Sequence, residues 1–118
     1  MDNLIIKIGA DKRKELKEVF DNPQKAKKNT HTLFLDSTED LYKILSPKRF
    51  ELLRYLIKHQ AEKQTISEIA DELKRKQEAI SRDANLLKKY DLIEKIKEKQ
   101  MIYLKALYTS LDIQLAST

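Results

Sequence analysis

Apolar positions recur every three to four residues through the middle of this 118-residue chain and every second residue near its ends. The first period predicts helices and the second extended strands. Phe50, Leu53, Leu56 and Ile57 form one stripe, on a helix that opens at Ser46-Pro47 and closes near His59. A serine caps such a start by accepting a backbone N–H, and a proline suits the first helical position, where no partner is lost. Ile66, Ile69, Ala70 and Leu73 follow at i, i+3, i+4 and i+7, behind a capping box of Thr65 and Glu68. Ile80, Ala84 and Leu87 line the inward side of a third helix within Lys74–Tyr90. Leu92–Ile96 and Met101–Leu107 flank a charged tip, Lys97–Gln100, and predict a hairpin.

The flanking segments follow other patterns. Asn3–Ile8 is short, apolar and β-branched, a strand ended by Gly9, the only glycine. Asp11–Phe20 predicts a helix with Leu16, Val19 and Phe20 on one side, and Asp21-Asn22-Pro23 breaks it. Gln24–Thr30 is polar and suits a linker, and Thr32–Leu35 predicts a second strand. Ser37 offers an N-cap to a brief helix whose apolar face is Leu41, Ile44 and Leu45. Leu111, Ile113 and Leu115 alternate with Asp112 and Gln114, the period of a half-buried strand. The terminal strands can pair with each other or with a second chain. The order of elements predicts an α+β winged helix-turn-helix over 46–107. A strand–helix extension precedes it over 1–45, and a C-terminal strand follows at 108–118.

Charge gives that architecture a direction. The net charge of +5 is confined to residues 41–90, since 1–40 and 91–118 are each balanced. In the third helix and the turn before it, Lys74, Arg75, Lys76, Arg82, Lys88 and Lys89 outnumber Glu78 and Asp83. On a helical wheel, Glu78, Arg82, Asn85 and Lys89 lie opposite the apolar stripe, with Ser81 and Lys88 beside them. Arginine takes guanine bidentately, asparagine suits adenine, and serine or lysine takes phosphate. Arg82 and Asn85 are therefore the candidates for base readout. Lys76, Ser81, Lys88 and Lys89 are candidates for backbone contact, with Gln77 at the start of the same helix. Lys97 and Lys99, with Lys95, give the hairpin a basic wing. The same pattern also describes the wet face of an ordinary amphipathic helix.

Other chemistries find little footing. With no cysteine, disulfides and thiolate metal sites are excluded, and no cofactor is expected. His31 and His59 lie on separate elements, and no positioned nucleophile or phosphate-cradling glycine loop accompanies them, so an enzyme is not expected. Tyr103 and Tyr108 suit the edge of a core better than a base-stacking platform. No apolar run is long enough for a membrane span and no signal-peptide layout is present, which leaves the cytoplasm as the expected location. The expected partner is double-stranded DNA. A single module reads few base pairs, so a homodimer on two half-sites is expected with it. The competing classes are a winged helix that binds RNA or docks a protein and has no operator, and a nuclease.

Ser46-Pro47-Lys48-Arg49-Phe50-Glu51-Leu52-Leu53-Arg54 resembles the opening of a family of small prokaryotic winged helix-turn-helix regulators. The resemblance continues through Thr65–Arg75, Ile80–Ile93 and the hairpin, and takes in Thr32–Leu45 and the closing Leu111–Leu115. The Pro47-Lys48-Arg49 segment and the Ser81-Arg82-Asp83 helix are its specific parts, and residues 1–30 are generic. More broadly the chain is similar to MarR- and ArsR-type regulators, and more narrowly to TumA-type antitoxins encoded beside a toxin. The resemblance implies transcriptional regulation, autoregulation by repression and a toxin partner, with residues 1–45 as the candidate toxin or subunit contact. Two positions depart from the family pattern: Asp91 stands where glycine is usual, and the hairpin tip has no glycine.

Overall fold

The computed structural model describes residues 2–10, 13, 14, 17 and 30–115. The helix expected over Asp11–Phe20, apart from Arg13, Lys14 and Lys17, and the linker expected over Gln24–Thr30, apart from Thr30, lie outside the described residues. The described elements run in the order β1 (Asp2–Ile8), β2 (Thr30–Leu35), α1 (Thr38–Ile44), α2 (Pro47–Lys58), β3 (Gln64–Thr65), α3 (Ile66–Leu73), α4 (Gln77–Lys89), β4 (Ile93–Glu98), β5 (Met101–Ala106) and β6 (Tyr108–Leu115).

The strands form two sheets, in the orders β2-β1-β6 and β3-β5-β4. In the first, β1 is central and runs parallel to both neighbours, with Leu4 beside His31 and Leu111, Ile6 beside Leu33 and Ile113, and Ile8 beside Leu35 and Leu115. The terminal strands therefore pair within one chain. Parallel strands need a long crossover, and between β2 and β6 that crossover is the whole winged-helix unit. Leu4, Ile6 and Ile8 face the helices and join one core with Leu45, Leu52, Ile69, Ile80, Leu87, Leu92 and Leu104. Gln60, just past α2, donates to the Tyr108 carbonyl at 2.5 Å and fastens that helix to the start of β6.

Caps account for the helix starts. Ser37 Oγ accepts from Asp40 N and Ser46 Oγ from Arg49 N, each at 3.3 Å, and Thr65 Oγ1 accepts from Glu68 N at 3.2 Å. The helix ends use an unexpected residue type. Arg75 N donates to Ala70 O and Lys74 N to Asp71 O after α3, and Leu92 N to Leu87 O and Asp91 N to Lys88 O after α4. Both pairs are the double closure that normally uses a left-handed glycine. Here Lys74 has φ 54° and Asp91 φ 58°, at a cost of about 1 kcal/mol each for a residue with a Cβ. Asp91 thus stands where the backbone does call for a left-handed residue.

The hairpin is longer than its sequence predicts. Lys97 pairs with Ile102 and Glu98 with Met101, so the tip is only Lys99-Gln100, with Lys99 at φ 56°. Lys97 belongs to the strand and not to the turn. The short β3 beside β5 has no counterpart in the periodicity, since two residues carry no period.

Candidate DNA interface

Helix α4 carries different chemistry on its two sides. Its inner side buries Ile80, Ala84 and Leu87 fully, and beside them Asp83, an acidic residue 7% exposed. Two arginines hold that carboxylate. Arg75, in the turn between α3 and α4, donates through Nη2 to Asp83 Oδ2 at 2.6 Å. Arg49, on the first turn of α2, donates through Nη1 to Asp83 Oδ1 at 3.3 Å. The same guanidinium reaches back to the end of α1, giving Nε to Ile44 O at 2.6 Å and Nη2 to Lys43 O at 2.8 Å. One carboxylate therefore ties α4 to the preceding turn and to α2, and through Arg49 to α1. Arg75 and Asp83 leave the outer charge count: they neutralise each other inside, so the outer face is basic through the lysines and Arg82.

The outer side is open. Gln77, Ser81, Arg82 and Asn85 share a shallow concavity with Glu78 and with Ile66 of α3. Arg82 and Asn85 are exposed, and Ser81 is half-buried between them and the core. Four of the expected contact residues are thus brought onto one surface. Lys76 is the N-cap of α4 and makes no side-chain cap bond, while its carbonyl accepts from Ala79 N and Ile80 N. Lys88 and Lys89 are exposed at the other end, with Lys89 Nζ 5.8 Å from the Tyr90 ring centroid. Lys97 and Lys99 are exposed on the wing, outside the concavity.

Two wing contacts were not legible in the residue pattern. Lys95 Nζ, on β4, donates to Asn85 Oδ1 and braces the outer face of α4 from the side. Lys63 Nζ bonds both carboxylate oxygens of Glu98, at 2.7 and 2.9 Å. The Glu98 hydrogen bond first, and its charge second, raise the Lys63 ammonium above the usual lysine pKa. That pair ties the loop after α2 to the far end of β4 and offsets one positive charge near the wing tip.

The aromatic and histidine candidates have structural surroundings. Tyr108 is buried, donates through its hydroxyl to Asp91 O at 3.3 Å and stacks on His31 at 5.8 Å between centroids. His59 lies against Tyr55 at 4.3 Å, with Nδ1 3.2 Å from Glu62 Oε2. Among the described residues no helix is long and apolar enough to cross a membrane, and no group of three or more His, Cys, Asp or Glu side chains could hold a metal ion.

The fold is that of winged-helix regulators. YusO protein from Bacillus subtilis superposes with a TM-score of 0.50 at 22% identity, over 80% of this chain and 61% of YusO. A transcriptional regulator, HlyU from Vibrio vulnificus CMCP6, gives 0.47 at 20% identity over 78% of this chain and 81% of its own. Reduced HlyU from Vibrio cholerae N16961 gives 0.47 at 21% identity, over 56% and 67%. At these identities the likeness is one of fold. No curated protein sequence matches the chain. Residues 44–113, from the end of α1 into β6, match the model of the HVO_A0114 family, and over that share of its length the chain belongs to this family.

Proposed function

We propose that the chain is a sequence-specific regulator that binds double-stranded DNA as a homodimer and represses by occupying an operator. The observation that carries this reading is the outer face of α4, where Gln77, Ser81, Arg82 and Asn85 share one open concavity while Asp83 anchors the opposite side of the helix. Arg82 takes a guanine edge. Asn85 reads a neighbouring base, with Lys95 fixing which end of its amide faces the groove. Ser81, Lys76, Lys88 and Lys89 hold phosphates, and Lys97 and Lys99 follow the adjacent backbone. Such a role belongs in the cytoplasm, beside the DNA.

The resemblance to TumA-type antitoxins extends the reading to an autoregulating antitoxin, with residues 1–45 as the toxin contact and a small toxin gene as neighbour. The test is binding to the duplex upstream of the chain's own gene, against a scrambled duplex, at two salt concentrations. Tight, sequence-dependent binding that Arg82→Ala weakens is the expected outcome. Equal binding to both duplexes, vanishing with salt, would reduce the face to a polyanion surface and leave RNA or a protein as the partner.

A further inference from the structure

The parallel sheet ends on β6, and the outer half of that strand is unusually bare. Ile113 is 41% exposed and Leu115 71%, the highest value among the large exposed apolar side chains of the described residues. Both stand on the face where Leu4, Ile6 and Ile8 are buried, because Ile6 pairs with Ile113 and Ile8 with Leu115. Edge strands are normally guarded by lysine, proline or a bulge. Leu111–Leu115 has neither lysine nor proline, Asp112 is its one charge, and the irregularity of β6 falls before it, between Tyr108 and Ser110. The opposite edge differs, since Leu33 and Leu35 of β2 pack against the core.

We infer that β6 pairs antiparallel with β6 of a second copy, about a two-fold axis at Ile113. This rests on the homodimer reading above and supplies its interface. The occupant follows from the sequence of the edge. Leu111-Asp112-Ile113-Gln114-Leu115 is symmetric in its apolar and polar positions about Ile113, which is what an isologous contact requires. Antiparallel pairing about that residue sets Ile113 against its counterpart and Leu111 against Leu115, on one face. On the other face it sets Asp112 against Gln114. A two-fold at Asp112 would instead oppose two carboxylates, which is destabilising.

The surroundings of Leu111 fit the same pairing. Phe50, Leu53, Arg54 and Ile57 of α2 form, with Ser110 and Leu111, a mostly apolar groove open to solvent alongside β6. Directly opposed residues of two strands point to the same face, so Leu115 of the second copy arrives at the mouth of that groove. The symmetry repeats the contact in reverse. The two three-stranded sheets become one of six, and the most exposed apolar side chain gains a seat in each copy.

The chain has no cysteine, so a single introduced thiol reports on the axis. Opposed Cα atoms in an antiparallel pair are about 4.5–5.5 Å apart, within disulfide range. Full-length Ile113→Cys under mild oxidation is expected to run as a covalent dimer that reductant releases, while Ile102→Cys on the wing stays monomeric on the same gel. Sedimentation equilibrium of the wild type is expected to give twice the 13.9 kDa chain mass, and Ile113→Glu to return it to one chain with unchanged circular dichroism. A wild-type dimer whose Ile113→Cys variant fails to cross-link overturns this interface and leaves the homodimer standing. A monomeric wild type overturns both.

Discussion

Charged residues of the same types lie against the two sides of α4 and are put to opposite uses. On the inner side, Asp83, Arg75 and Arg49 are mostly shielded, with side-chain exposures of 9%, 11% and 20%, and each bonds a named partner, although Arg75 Nη1 is buried without one. On the outer side, Arg82 stands exposed beside Gln77, Ser81 and Asn85. A shielded charge needs its partners in place because it has lost its water, whereas an exposed one is stabilised by water until something better arrives. The inner group therefore sets where the helix points, and the outer group is left to meet a ligand. Net charge treats the two alike, and burial separates them.

Removing the inner anchor has the largest expected effect. Asp83→Ala leaves two guanidinium groups facing each other with little solvent, and should lower the unfolding free energy by about 3 kcal/mol, the low end for breaking a buried pair. Urea denaturation measures this, and a loss below about 0.5 kcal/mol, the range of an ordinary surface substitution, would erase the contrast between the faces. Arg82→Ala should reverse the pattern. Its urea midpoint should match the wild type, while operator affinity falls by about 1–3 kcal/mol and discrimination relaxes at one base pair. Competition binding against single-base operator variants identifies that position. The smallest effect belongs to Lys88→Ala, which should weaken all duplexes alike and reduce the slope of log affinity against log salt by about 1. A base-specific loss at Lys88 would move the reading surface toward the end of α4.

What could be read in the sequence was what neighbours in the chain decide. Ser37, Ser46-Pro47 and Thr65 cap helices through bonds to residues three positions on, so their spacing alone is sufficient. The outward placement of Arg82 and Asn85 follows from the helical period in the same way. The inner anchor depends on residues 34 positions apart, Arg49 and Asp83, and no local period encodes it. One sign of it was present. Asp83 falls three residues after Ile80 and four before Leu87, an acidic residue set within an apolar stripe, which an exposed-face reading does not explain. The most specific parts of the family resemblance, Pro47-Lys48-Arg49 and Ser81-Arg82-Asp83, hold the two ends of that bond. What looked like a recognition signature is in part a structural one. The turn residues show a second limit: one glycine among 118 residues suggested doubtful turns, yet Lys74, Asp91 and Lys99 take left-handed backbone in its place. The sheet order of the terminal strands was open for the same reason as the anchor, since β1 and β6 meet across almost the whole chain.

That meeting has a consequence for the order in which the protein is made. β1 leaves the ribosome long before its second neighbour exists, and one side of it stays unpaired while the segment through β5 is synthesised. The helices and the hairpin close through contacts near in sequence, which form quickly, whereas the β1–β6 seam must wait for β6. A chain cut before Tyr108 should thus keep its helices and hairpin while an apolar edge of β1 remains open beside them, and the eight-residue β6 is what closes that edge.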